Sequence, residues 1–266
     1  MTNHLLRSHA PISDAGWELL DGEAKERMTP ALGARRLVDF AGPHGWEHSA
    51  TSLGRVTPIP TGPADGVSGL RRRVLPVVEL RADFELARSE LRDADRGADD
   101  ADLGALDAAA RRIAIAENTA VFQGWADEIT GIVQASPHQA RALGGPDTYP
   151  GHVAAAVEQL LADGVGGPYG LALGSDAYRV VLGTAEHGGF PLREHLSKIV
   201  EGPLVYAPGV TGAVLVSLRG GDFVLDSGQD ISIGWQGHDD EVVRLYLEES
   251  FSFHVATPEA AVVLTR

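Results

Sequence analysis

The sequence predicts an α+β fold in which helices and strands are segregated along the chain rather than alternating. Three observations carry this expectation. Residues 78–86 alternate strictly: Val78, Leu80, Ala82, Phe84 and Leu86 share one face, and Glu79, Arg81, Asp83 and Glu85 share the other. That is the pattern of a half-buried strand. Residues 103–125 instead repeat apolar positions at helical spacing. The last quarter, from Leu204, reads as β and ends in a long alternating stretch over 243–255.

Each element has its own reason. Ser13 or Asp14 can cap a first helix, in which Trp17, Leu20, Ala24 and Met28 recur on one face before Pro30 and Gly33 end it. From Gly42 to Gly69 the chain is rich in Gly and Pro, with Pro58, Pro60 and Pro63 close together. Proline fixes φ and removes a donor, so this segment is expected to be an extended arm or a hairpin with irregular edges. An arm of that length rarely sits inside a compact core, so it is a lid or it reaches a neighbouring subunit. The strand at 78–86 leads to an acidic turn holding Asp93, Asp95, Asp99, Asp100 and Asp102. Its spacing is not that of a calcium-binding EF-hand, and a solvated loop is expected.

The helix at 103–125 carries Leu106, Ala110, Ile113, Glu117 and Val121 on its inner stripe. Glu117 is the exception, explained by a partner in Arg111, Arg112 or a distant arginine. A second helix spans 151–161, a Gly-rich turn leads to a strand at 169–173, and Ser175 or Asp176 opens another helix. Residues 184–190 form a loop, Pro191 takes a first helical position and Gly202 is a natural C-cap. Strands are expected at 204–207, 213–218, 223–225 and 231–235, with Arg219-Gly220-Gly221-Asp222 as the turn between two of them. In the final stretch Val243, Leu245, Leu247, Phe251, Phe253 and Val255 alternate with Arg244, Tyr246, Glu248, Ser250, Ser252 and His254. A strand of about 15 residues would span roughly 50 Å, far longer than usual, and a domain of this size has little use for it outside an assembly.

Composition limits the function. Hydrophobic residues make up 44% of the 266, enough for a real core. A net charge of −15 disfavours free nucleic acid, and the one tight basic run, Arg71-Arg72-Arg73, reads as a solvated strand edge. There is no cysteine, which removes disulfides, thiol nucleophiles and cysteine metal sites and fits a cytoplasmic protein. The first residues do not form a signal peptide, and no apolar run approaches the roughly 18 residues that cross a bilayer. A phosphate-binding P-loop, a G-x-S-x-G elbow, a dinucleotide fingerprint and H-E-x-x-H are all missing. His44 and His48, four apart, could share a helix face as metal ligands, but Gly42, Pro43 and Gly45 make a helix improbable there and surface or packing roles are favoured. No catalytic set and no metal site is expected from these residues.

The order of segments is more specific than any one of them. The opening 5–13 followed by Trp17, the run 33–40, Gly42-Pro43-His44-Gly45-Trp46-Glu47, 79–84, Asp95-Arg96-Gly97, Gly166-Gly167-Pro168-Tyr169, His187-Gly188-Gly189-Phe190-Pro191-Leu192, 219–223, 228–234 and 243–247 together resemble the encapsulin family of nanocompartment shell proteins. The resemblance runs from residue 5 to about 264. It implies the tailed-phage capsid fold of the Hong Kong 97 type. The divisions it implies are 1–46 (N-terminal helix and start of the peripheral domain), 47–72 (extended loop), 73–135 (peripheral domain with its spine helix), 136–222 (axial domain) and 223–266 (peripheral C-terminal strands).

It further implies a self-assembling icosahedral shell that encloses a cargo enzyme. Typical cargo is a dye-decolorising peroxidase or a ferritin-like iron oxidase, which would link the shell to oxidative stress or iron storage. Cargo docks through a short C-terminal peptide, here on Met28, Leu32, Arg35, Asp39, Ile231 and Ile233, with Arg35 and Asp39 as the rim of an apolar groove. Glu186, His187, Gly188 and Gly189 would line a pore that passes ions and small molecules. Some relatives hold a flavin beside a Trp in the strand-to-turn region. The corresponding stretch here, Leu86-Ala87-Arg88-Ser89-Glu90-Leu91, has no Trp or Tyr, so no cofactor is expected. The alternative is a phage or prophage major capsid protein, which shares the fold and packages DNA.

Overall fold

The structure is a computed structural model and describes residues 4–185 and 188–265. Helix α1 (Asp14–Met28) leads through a 3-10 turn (Ala34–Arg36) to strand β1 (Asp39–Ala41). Ser13 caps α1, its hydroxyl accepting from the Gly16 N–H. Strands β2 (Ala50–Ile59) and β3 (Gly69–Pro76) then form a two-stranded arm, paired from Ala50 opposite Pro76 to Ile59 opposite Gly69, with an irregularity between Ser52 and Val56. The arm therefore includes Arg73–Pro76, beyond the expected boundary at residue 72. Next come β4 (Val78–Ala87), α2 (Arg88–Asp95) and α3 (Gly104–Phe122). Helix α2 occupies part of the expected acidic turn: Leu91 is buried beneath it, while Asp93 and Asp95 project outward.

The rest of the chain follows as α4 (Ile132–Ala135), β5 (Arg141–Ala142), α5 (Tyr149–Ala162), β6 (Tyr169–Leu173), α6 (Ser175–Gly183), α7 (Leu192–Val200), β7 (Leu204–Tyr206), β8 (Ala213–Ser217), β9 (Phe223–Ser227), β10 (Ser232–His238), β11 (Val242–Val255) and β12 (Ala261–Thr265). Helix α7 ends at Val200 and its cap falls one residue before Gly202: Glu201 takes the left-handed position, with φ of 58°. Gly202 serves close packing instead, since a Cβ there would meet the Tyr169 carbonyl oxygen. No helix among the described residues is long and apolar enough to cross a membrane.

Two sheets organise the molecule. One runs β1-β9-β11-β10, with β4 paired to β11, and the other runs β5-β12-β8-β6-β7. The Arg219–Asp222 turn thus hands the chain from β8 in one sheet to β9 in the other and is not a hairpin. The segment 223–266 is likewise divided, because β12 pairs with β8 and β5, away from β9, β10 and β11.

Two hydrophobic cores fill the molecule, and the first sheet contributes to both. Trp17, Leu20, Phe84, Leu106, Ile113, Ile233, Leu245 and Leu247 belong to one. Phe122, Val153, Leu171, Leu215, Phe223, Phe251 and Val262 belong to the other. Helix α3 and strand β11 run through both cores, which explains their length. β11 is buried on both faces over Leu245–Phe253, not on one as alternation alone suggests. Its polar face is covered by His4, whose ring nitrogen lies 3.0 Å from Glu248, by the 229–230 turn and by the arm's root.

Candidate functional site

The site is built where the two cores meet. Between α1 and β10 lies a groove of about 450 Å³, with Ala24, Met28, Leu32, Ile231, Ile233 and Leu247 supplying its apolar surface and Arg7, Asp21, Lys25 and Asp230 its polar edge. Arg7 and Asp21 pair at 2.7 Å, and the Arg7 guanidinium lies 4.1 Å from the Trp17 ring centroid. Met28 and Ile233 are buried, whereas Leu32 and Ile231 are half-buried and give the groove its accessible apolar lining.

The structure brings five of the six expected docking residues to this groove: Met28, Leu32, Arg35, Ile231 and Ile233. Asp39 is elsewhere. It lies in β1, and its carboxylate accepts from the Gly221 N–H in the turn between β8 and β9, so it is not part of the groove's rim. Of the expected pore loop, Glu186 and His187 lie outside the described residues. Gly188 and Gly189 have positive φ, 106° and 81°, beside an exposed Phe190. The Leu86–Leu91 stretch is the end of β4 and the start of α2, with Leu86 and Leu91 in the α1-side core.

Arg35 does more than rim the groove. Its Nε donates to Glu117 Oε2 at 2.6 Å, its Nη1 to Asp230 Oδ1 at 2.7 Å and its Nη2 to Glu249 Oε2 at 3.0 Å. Three of its five donors are therefore engaged by carboxylates. Glu117, from α3, is fully buried, and Glu249, from β11, is 2% exposed. Both sit where their elements pass from one core to the other. Burial raises the Glu249 carboxyl well above the ordinary range, and the adjacent Glu117 charge raises it further. Burial raises Glu117 too, against the opposing pull of Arg35. Glu117 Oε1 and Glu249 Oε1 find no donor among their neighbours, which fits a proton held on Glu249 and shared with Glu117. The cluster is one guanidinium neutralising what is effectively one buried carboxylate, with Asp230 at its exposed edge.

Asn118, next along α3, fixes this arrangement. It is fully buried; its Nδ2 donates to the Ala31 and Pro208 carbonyls and its Oδ1 accepts from the Ala34 N–H. These bonds hold the 3-10 turn that carries Arg35. Gly33 lets that turn approach β7, since a Cβ there would lie 2.6 Å from the Tyr206 carbonyl oxygen. Neither Asn118 nor Glu249 was expected from sequence. A signal for Glu249 was present: it occupies the apolar register of β11 between Leu247 and Phe251, as Glu117 interrupts the stripe of α3.

A family model described as "Encapsulating protein for peroxidase" matches residues 1–252. A type 1 encapsulin shell protein of Rhodospirillum rubrum is 46% identical over 98% of this chain and 96% of its own length. Another, of Mycobacterium tuberculosis, is 38% identical over 99% of both chains. The chain belongs to the type 1 encapsulin family. The encapsulin is therefore a structural shell subunit, not an enzyme. Its fold is the Hong Kong 97 type: it superimposes on a virus-like particle of Pyrococcus furiosus with a TM-score of 0.67 at 19% identity, over 93% of this chain and 98% of that one. The capsid of an empty GTA particle gives 0.53 at 13% identity, over 88% and 89%. The capsid of that GTA particle thus shares the fold of this chain, while the two relatives alike in sequence over nearly its whole length are type 1 encapsulin shell proteins.

Proposed function

We propose that copies of this chain close into a hollow icosahedral shell in the cytoplasm, and that the shell encloses a cargo enzyme held by a short apolar C-terminal peptide in the α1–β10 groove. The observation that carries this reading is the groove itself. Leu32 and Ile231 offer accessible apolar surface with backbone on both sides, and the charged edge suits a peptide whose ends remain polar. The cargo is a dye-decolorising peroxidase or a ferritin-like iron oxidase, which assigns the shell to oxidative defence or iron storage. Residues 1–46, 77–135 and 223–260 form the peripheral part and 136–222 with β12 the axial part, and the arm lies on a neighbouring subunit. The 184–190 loop borders a pore for small solutes. Neither nucleic acid nor a resident cofactor takes part.

Coexpression with a fluorescent protein bearing the C-terminal tail of a dye-decolorising peroxidase tests the groove. Fluorescence should travel with the purified shells. Leu32→Asp or Ile231→Asp should reduce it to the level of an untagged fluorescent protein while hollow particles still form. Undiminished loading in both variants would move the docking site elsewhere.

A further inference from the structure

At the root of the arm, the turn from β1 to β2 lays two imidazoles against one carboxylate. His44 Nε2 stands 2.7 Å from Asp226 Oδ1, and His48 Nε2 stands 3.5 Å from Asp226 Oδ2. The two rings are 4.8 Å apart, centroid to centroid. One ligand atom from each of the three side chains falls within 4.8 Å of the others. No helix joins the two histidines. The turn is instead tied down by its backbone: the His44 N–H donates to the Ser227 carbonyl at 2.9 Å, the Gly45 N–H to the Gly228 carbonyl at 2.7 Å, and the His48 N–H to the Gly45 carbonyl at 3.1 Å. Gly45 has φ of 101°, a value that any side chain would strain. Asp226 comes from the other side, on β9, between β1 and β11. The donors are thus placed by main-chain bonds rather than by side-chain preference.

Two details point to an ion. The Nε2 atom of His48 is buried yet has no hydrogen-bond partner, an arrangement that costs free energy unless something occupies it. The Asp226 carboxylate also has an outer support: the Thr51 hydroxyl donates to Oδ2, and Thr51 in turn lies 2.6 Å from the Ser252 hydroxyl. Support of this kind orients a ligating carboxylate. His44 is half-exposed, which leaves a side open for a water as fourth ligand.

We propose that His44, His48 and Asp226 bind a divalent late transition metal, zinc being the best match, and so clamp the root of the arm to the β1-β9-β11 sheet. Two imidazole nitrogens and one carboxylate oxygen suit zinc, while calcium and magnesium require larger sets of oxygen donors. Ligand atoms about 2.1 Å from a tetrahedral zinc lie roughly 3.4 Å apart; His44 Nε2 stands 2.7 Å from Oδ1 and His48 Nε2 3.5 Å from Oδ2, and one ligand atom of each side chain falls within a 4.8 Å set that a small rotation of the imidazoles closes onto the ion. The ion replaces the His44–Asp226 hydrogen bond, and His44 keeps its proton on Nδ1.

The test uses untagged, assembled full-length protein stripped with a chelator, with zinc titrated in competition with a chromophoric chelator. One zinc per chain is expected. His48→Ala and, independently, the more exposed His44→Ala should each weaken binding at least tenfold, and His238→Ala, at the far end of β10, should leave it unchanged. Cobalt substituted for zinc should give the intense visible absorption of a four-coordinate ion, lost in both site variants. Binding well below one ion per chain, or full affinity in His44→Ala and His48→Ala shells, would overturn the proposal.

Discussion

Strand β11 and the β2–β3 arm are both long antiparallel elements, and they lie at opposite extremes of burial. β11 is covered on both faces through its middle, by α3 and two cores on one side and by the N-terminal segment and the arm's root on the other. The arm is covered on neither. Val56, Ile59, Leu70 and Val74 are exposed along it, Leu70 to 61%. Exposed strands with apolar side chains are a liability for a free subunit, and the arm limits it with Pro58, with Arg71–Arg73 and with an irregular register. β11 is stabilised within the chain, whereas the apolar surface of the arm is left unburied by the chain itself.

The first way to break the comparison is to damage β11's junction. Arg35→Met leaves Glu117 buried without its cation, and the subunit should lose about 3–5 kcal/mol. Denaturant unfolding against the parent measures this. Adding Glu117→Gln should recover part of the loss, because the orphaned charge is then gone. A loss no larger than that of a typical surface substitution would show that the cluster does not hold the two cores together.

The second prediction is smaller and depends on pH. Glu249 binds its proton more tightly in the folded chain than in the unfolded one. Over the interval between its ordinary and its raised value, the folded state holds more protons, so stability falls as pH rises. Glu249→Gln mimics the protonated form and keeps a donor for Glu117 and an acceptor for Arg35. The variant should therefore lose part of this decline as pH rises above the ordinary carboxyl range, at most ~1.4 kcal/mol per pH unit for one proton. Below that range the two proteins should behave alike. There Asp226, favoured as the anion by Thr51 and His44 in spite of its burial, and Asp239, at about 2 through the Val242 and Glu241 N–H groups, contribute stability that is lost as pH falls through their lowered values. Melting temperatures measured from the ordinary carboxyl range upward read the slope, and parallel curves for parent and variant would place the proton elsewhere.

Much of this was legible in the sequence, and what was not has physical causes. Local patterns located α1, β4 and α3, since one buried face writes its period into the chain, and flanking Gly and Pro located α7 and the fully buried β6. The order of motifs located the fold. Pattern could not show that β8 and β9 belong to different sheets, because a turn looks alike whether it closes a hairpin or crosses between layers. Nor could it show that Arg35, expected at a groove's edge, faces two carboxylates 82 and 214 positions away. Glu117 and Glu249 were visible only as interruptions of apolar periods, and joining two interruptions requires the tertiary fold. Asp39 was assigned to the groove by the family resemblance alone. In the fold, the 3-10 turn at Ala34–Arg36 sends the chain into β1 and carries Asp39 to the other sheet junction.

The smallest change to the subunit sharpens the comparison most. Leu70→Asp with Val74→Asp places two charges on the arm's exposed residues, where the chain itself packs little against them. Stability of the isolated subunit should change by no more than about 0.5 kcal/mol. Assembly should fail, because closing a shell over the arm would bury both charges without partners. Size-exclusion chromatography and negative-stain microscopy read assembly, and denaturant unfolding reads the subunit. If shells form as before, the arm faces solvent in the assembly and its apolar residues have another role. If the subunit itself unfolds, the arm is part of the subunit's own core and the contrast with β11 disappears.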